Sequence, residues 1–185
     1  MSKYELKHGE NFSYVENVIS DNEINILMSH WMGIEIGDVI DKGFWDVWSP
    51  KKTHIKQSNR HVEIVGVSVD GIKFLSDKIK SIFSLILKYD FGIEGPHYFT
   101  KYPTGGFHSK HTDLGVHNGV ERNKVITIQL TDGDDYVGGD LIINGEVAPR
   151  TKGTFILYNG NDPHEVTKVT EGVRFSITEC AGEKK

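Results

Sequence analysis

The residues most able to do chemistry in this chain lie in its second half, beginning with His111-Thr112-Asp113. Residues i and i+2 of a β-strand project from the same face about 7 Å apart, so an imidazole and a carboxylate there can converge on one metal ion. Alone, the pair also reads as hydrogen-bonded surface side chains, because His-x-Asp is common by chance. His164, in Asn161-Asp162-Pro163-His164-Glu165-Val166, changes the reading. It leads into a late strand, and a β-sandwich commonly brings an early and a late strand together. Two histidines and one carboxylate on one face, with the remaining positions open, form the facial triad suited to non-haem Fe(II) and oxygen chemistry. Arg174 lies on the following strand, on the face shared by Ser176 and Thr178 and opposite Phe175 and Ile177. A permanently charged guanidinium at an inward-facing position needs a carboxylate partner. That partner is either an Asp or Glu of the chain or the distal carboxylate of a dicarboxylate cosubstrate, clamped bidentately with help from the Ser176 or Thr178 hydroxyl.

The elements that must position these groups follow from periodicity. After Pro96 come short β runs separated by glycine-rich turns: His97–Lys101, Phe107–His111, Lys124–Leu130, Asp140–Asn144, Thr154–Tyr158, Glu165–Val169 and Val173–Glu179. With no helical segment between them, a sandwich or barrel is favoured over a parallel sheet. Before Asp90 the pattern differs. Ser20 to Trp31 opens with capping residues and continues as a helical stripe, and Ile72, Leu75, Ile79, Ile82, Phe83, Ile86 and Leu87 recur at helical steps through Tyr89. His61 to Val69 alternates as a strand. The Gly43 to Lys52 loop carries Phe44, Trp45 and Trp48, expected to be pinned into the core, with a lid as the other reading. The expected fold is mainly β with flanking helices, in which both N-terminal helices pack on one outer face. One domain spans 1–185: a support region over 1–95 and a catalytic core over 96–181.

Composition is consistent with this plan. In 185 residues, 37% hydrophobic and 25% charged, there is material for one sizeable core, and a net charge of −5 provides no basic field for extensive nucleic-acid backbone binding or anionic lipid. Cys180, the single cysteine, fits a reducing compartment, and Met1 to Glu10 has no apolar run, so a cytoplasmic protein without signal peptide or membrane span is expected.

Four linked motifs then fall in order. They are Tyr102-Pro103-Thr104-Gly105-Gly106-Phe107-His108-Ser109-Lys110-His111-Thr112-Asp113, the Arg122 to Leu130 strand, Asp135-Tyr136-Val137-Gly138-Gly139-Asp140-Leu141, and Pro163-His164-Glu165-Val166 with Val169-Thr170-Glu171-Gly172-Val173-Arg174. From Tyr98 to Cys180 the chain resembles the prolyl 4-hydroxylase-like branch of the Fe(II)- and 2-oxoglutarate-dependent dioxygenases, particularly small bacterial PKHD-type hydroxylases. The resemblance implies a double-stranded β-helix, the cupin-like jelly roll, with iron held by His111, Asp113 and His164. It implies Arg174 on the 5-carboxylate of 2-oxoglutarate (2OG), Tyr102 reaching the same cosubstrate, and Thr127, Gln129, Leu141, Val166 and Thr178 lining the pocket. The implied cofactors are Fe(II), 2OG and O2, with ascorbate as a candidate reductant. The implied reaction is hydroxylation of an unactivated C–H bond with release of succinate and CO2, and the leading substrate is peptidyl proline in a peptide or protein. The alternatives are the same chemistry on a free amino acid, small molecule or nucleobase, and a non-catalytic jelly-roll binding module.

Two positions depart from the family pattern: His108, where relatives carry an aromatic, and Gln129, where many carry an aromatic on the core strand. His108 is an odd number of residues from His111, so regular alternation points it to the opposite face, in a structural or substrate-side role. His117 lies in a Gly- and Asn-rich rim loop, and His8, His30, His54, His61 and His97 are expected to be structural or solvated.

Overall fold

The computed structural model describes residues 4–34, 36–40, 52–67, 72–86, 92–113, 115–117, 120–121 and 123–182. Helix α1 (Asp21–Gly33) begins where the sequence has a capping signal: Ser20 accepts from the Glu23 backbone N–H, and the Glu23 carboxylate accepts from the Ser20 N–H at 2.9 Å. Lys78, on helix α2 (Lys73–Ile86), donates to the same carboxylate at 2.7 Å and so ties the helices together. Although burial raises it, these hydrogen bonds hold Glu23 down to about 2. Ile24, Leu27 and Trp31 of α1 and Leu75, Ile79, Ile82 and Phe83 of α2 form the buried stripes.

Apart from two short two-stranded ladders, the described strands form one sheet that curls over on itself. One half runs Phe12–Val15, Phe155–Asn159, Lys124–Gln129, Arg174–Gly182, Gly92–Tyr102 and Arg60–Val67. The other half continues through Phe107–His111, His164–Val166, Leu141–Ile143 and Glu146–Val147. Arg60–Val67 is the corner strand, since its residues 63–67 pair with Gly92–Tyr102 while Arg60 and His61 pair with Phe107–His111. Every pairing is antiparallel except that of Ile36–Ile40 with Lys52–Gln57. This is the expected jelly-roll architecture, mainly β with both helices on one face.

Strand alternation divides the buried residues into two clusters. Outside the curl, Val65, Phe99, Ile126, Ile128, Phe155, Leu157 and Ile177 pack with the buried stripes of α1 and α2. Inside it, Val62, Ile64, Tyr102, Val125, Leu141, Ile143, Ile156, Tyr158 and Val166 form a second core. A tight turn at Gly138-Gly139 enters the Leu141–Ile143 strand with φ of +71° and +65°, and a Cβ on Gly138 would strike the Lys168 carbonyl.

Most predicted strands occur within a few residues of their expected bounds, while Phe12–Val15, Ile36–Ile40 and Lys52–Gln57 were not expected. The Gly43 to Lys52 loop is not a loop at its end, because Lys52 opens a strand, is buried, and places its ammonium 5.0 Å from the Trp31 ring centroid. Trp45 and Trp48 lie outside the described residues.

A polar contact crosses the outer core. His97 is fully buried, with its Nδ1 against the Glu179 carboxylate and its Nε2 2.9 Å from the Ser76 hydroxyl of α2. The network connects α2 to the two strands beneath it. Removing one member strands a buried polar partner, so His97→Ala is expected to lower unfolding stability by about 3 kcal/mol or more, read from urea denaturation. A change below about 1 kcal/mol would show that the network contributes little.

Candidate active site

The Phe107–His111 and His164–Val166 strands are neighbours, and their register sets His111 directly opposite His164. Asp113 lies just past the end of its strand, where its backbone N–H donates to the Gly160 carbonyl at 2.8 Å. These two arrangements bring the three side chains together. His164 Nε2 is 3.3 Å and His111 Nε2 3.8 Å from the Asp113 carboxylate, and the three donor atoms lie within 4.8 Å of one another.

Each imidazole is held by its other nitrogen. His111 Nδ1 donates to the Ser109 carbonyl at 2.8 Å and His164 Nδ1 donates to the Asp162 carbonyl at 2.9 Å. A carbonyl can only accept, so both Nδ1 atoms carry the proton and both Nε2 lone pairs are left for a cation. Burial and the neighbouring His164 hold His111 below the usual histidine range, favouring the neutral, ligating form. Bonds near 2.1 Å at right angles put donors about 3 Å apart, and here the two imidazole nitrogens lie 3.3 and 3.8 Å from the carboxylate. The donor set therefore fits a divalent iron ion, with two neutral nitrogens and one carboxylate on one face.

Arg174 is 1% exposed and faces the interior of the curl from the Arg174–Gly182 strand. Its Nη2 donates to the Gln129 side-chain carbonyl at 3.0 Å, and its guanidinium carbon is 5.0 Å from the Tyr102 ring centroid. Its Nη1 and Nε meet no hydrogen-bond partner among the described residues, and no ion pair to Arg174 occurs there. The salt bridge that could have explained this residue is absent from the described structure. Ser176, two residues on and also 1% exposed, has a hydroxyl without a partner among the described residues. A buried, permanently charged fork and a spare hydroxyl on one strand face form a receptor for a carboxylate.

The remaining predicted pocket residues lie on strands that face the inside of the curl. Gln129 is fixed by its Nε2 bond to the Pro149 carbonyl at 3.1 Å, which presents its oxygen to Arg174. Thr127 is buried with its hydroxyl 3.5 Å from the Tyr158 phenol, and Thr178 is opposite Thr127 in register. Leu141 and Val166 are cross-strand partners in the inner core.

Three features were not foreseen. The Tyr158 ring packs edge-on to His164 at 4.9 Å, and burial together with the Asp113 carboxylate pushes its phenol well above the usual range, so it stays protonated. Arg60 projects its charge among Asp113, Tyr102 and Tyr98. His108 does not face away from His111: their rings stack at 3.7 Å between centroids. Alternation fails because Val166 pairs with His108 while His164 pairs with His111, three residues on one strand spanning two on the other. Tyr158 could have been found from its inward alternation with Ile156; no local pattern marks Arg60. Of the rim loop, Val116–His117 and Val120–Glu121 form a short ladder, and the His117 side chain is outside the described residues.

Residues 97–180 match the family model of the 2OG-Fe(II) oxygenase superfamily. The chain places just under half of its residues in that match. It is 34% identical over 80 residues to a PKHD-type hydroxylase of Picosynechococcus sp., covering 41% of this chain and 36% of that protein. To a PKHD-type hydroxylase of Rippkaea orientalis it is 36% identical over 86 residues, covering 43% and 39%. The match thus spans about two-fifths of the length of these curated relatives. Among solved structures, the viral collagen prolyl hydroxylase of Paramecium Bursaria Chlorella virus-1 superposes with a TM-score of 0.66 at 16% identity, covering 94% of this chain and 96% of that one. A prolyl-4-hydroxylase of Pseudomonas putida gives 0.64 at 16% identity, covering 95% and 94%. A Trichoplax adhaerens prolyl hydroxylase in complex with a hypoxia inducible factor peptide fragment gives 0.66 at 18%, covering 94% and 84%. These establish the shared fold across nearly the whole chain.

A buried charge without a counter-ion costs stability until its ligand arrives. Arg174→Met is therefore expected to stabilise the ligand-free protein by about 1 kcal/mol in urea denaturation. A destabilised variant would mean that the guanidinium is already compensated within the chain.

Proposed function

We propose that the chain is a single-domain Fe(II)- and 2OG-dependent oxygenase that hydroxylates an unactivated C–H bond, most simply of a peptidyl proline. The observation that carries this reading is the buried Arg174 guanidinium, facing the same interior as the His111, Asp113 and His164 donors and lacking a carboxylate of its own among the described residues. His111, Asp113 and His164 would hold the iron. Arg174 and Ser176 would bind the 5-carboxylate of 2OG, the guanidinium being oriented beforehand by the fixed Gln129 oxygen and the Tyr102 ring. When bound, Fe(II) with 2OG and O2 supplies the oxidising power for hydroxylation, with succinate and CO2 as coproducts.

The chain's own residues supply position and dryness. The Nδ1 bonds to Ser109 and Asp162 orient both imidazoles before any cation arrives, lowering the reorganisation needed on binding. Leu141, Val166 and Ile64 exclude water from the inner face, which strengthens the pairing between Arg174 and an incoming carboxylate. Tyr158, protonated and wedged beside His164, adds bulk on the ligand's flank rather than a second negative charge.

The peptidyl substrate rests on the relatives: PKHD-type hydroxylases in sequence and prolyl hydroxylases in fold, one of them holding a peptide. Ascorbate would act as an external reductant. No helix among the described residues is long and apolar enough to cross a membrane.

His111→Ala, Asp113→Ala and His164→Ala are each expected to abolish iron-dependent succinate formation. Full turnover by any one purified variant would remove that residue from the ligand set. Arg174→Met should raise the 2OG concentration giving half-maximal turnover by about 30-fold or more, the cost of truncating one partner of a buried charge pair. An unchanged 2OG dependence would count against the clamp.

A further inference from the structure

The His111 ring must be oriented about two axes for its Nε2 to meet a cation, and its hydrogen bond to the Ser109 carbonyl fixes only the in-plane direction of Nδ1. The ring could still swing about that bond. The bulge in the Phe107–His111 strand closes off this freedom, because it brings His108 to the side of the sheet that carries His111. The His108 ring lies against His111 with centroids 3.7 Å apart and planes 29° from parallel. The His164 ring stands 4.3 Å from His111 and tilted by 56°. Its strand position is itself secured, since His108 is opposite Arg60 on the corner strand and opposite Val166 on the other side.

We propose that His108 is a positioning residue of the metal centre, whose ring face locks the rotation of His111 so that Nε2 is aimed at the cation before it binds. The inference rests on the iron site described above. His108 is not one of its ligands, for the donors that converge among the described residues are those of His111, Asp113 and His164 alone. What the position requires is a flat ring, so a phenyl group should serve and a methyl group should not.

The test is a titration of the purified full chain with Co(II), followed by the visible absorption of the bound ion, with the melting temperature of each metal-free protein measured in parallel. Wild type is expected to take up one ion. His108→Ala should bind Co(II) on the order of tenfold more weakly, the low end of what loss of a supporting residue costs. His108→Phe should stay within about twofold of wild type, and both metal-free variants should melt close to wild type. Three outcomes would overturn the proposal: undiminished affinity in His108→Ala, an equal loss in His108→Phe, or a loss matched by a lowered metal-free melting temperature. Absence of saturable uptake by wild type would instead overturn the iron site on which the proposal rests.

Discussion

A guanidinium cannot shed its proton inside a protein, so the burial of Arg174 imposes a demand for negative charge on everything around it. The described residues answer with a neutral oxygen from Gln129 and the face of Tyr102, which orient the group without neutralising it. A carboxylate of the chain in this place would have made an ordinary internal salt bridge and closed the site. Its absence among the described residues, next to a Ser176 hydroxyl without a partner there, leaves the inside of the curl able to take a carboxylate from outside the chain, as the proposed function requires. The strand order serves the same group, because Lys124–Gln129 and Gly92–Tyr102 flank Arg174–Gly182 and present Gln129 and Tyr102 to it.

The Arg174–Gly182 strand serves two interiors at once. Arg174, Ser176 and Thr178 face the site, while Ile177 and Glu179 face the helices, where Glu179 meets His97 and through it Ser76. Packing of α2 and placement of the guanidinium therefore depend on one backbone, and a shift of one residue in register would exchange the two faces. On the other half of the sheet, the pairing of His111 with His164 does the equivalent work for the candidate metal donors. The corner strand Arg60–Val67 joins the halves, pairing with Gly92–Tyr102 on one side and with Phe107–His111 on the other.

Much of this was legible in the sequence, for physical reasons particular to each part. The strands after Pro96 are short, rich in β-branched residues and bounded by glycine turns, and α2 is strongly amphipathic, so both declare themselves locally. Lys52–Gln57 does not, because Lys-Thr-His-Ile-Lys-Gln is polar and becomes a strand through pairing with Arg60–Val67, anchored by the buried Ile55. The convergence of His111, Asp113 and His164 was readable from residue types and an assumed early-to-late strand contact. Arg60 and Tyr158 were not singled out, since their approach to the site is set by register and curl. His108 was misjudged because period-two alternation holds only in a regular strand, and a bulge is not encoded in any local pattern of hydropathy.

The central claim is that the donor triad and the Arg174 receptor bind iron and 2OG as one centre. Its most direct test is the visible charge-transfer band that appears when 2OG is added anaerobically to the Fe(II)-loaded protein and chelates the metal. The account predicts a band in wild type, none in Asp113→Ala, and in Arg174→Met a band that develops only at much higher 2OG concentration. A folded, iron-loaded wild-type protein that gives no band at saturating 2OG would contradict it.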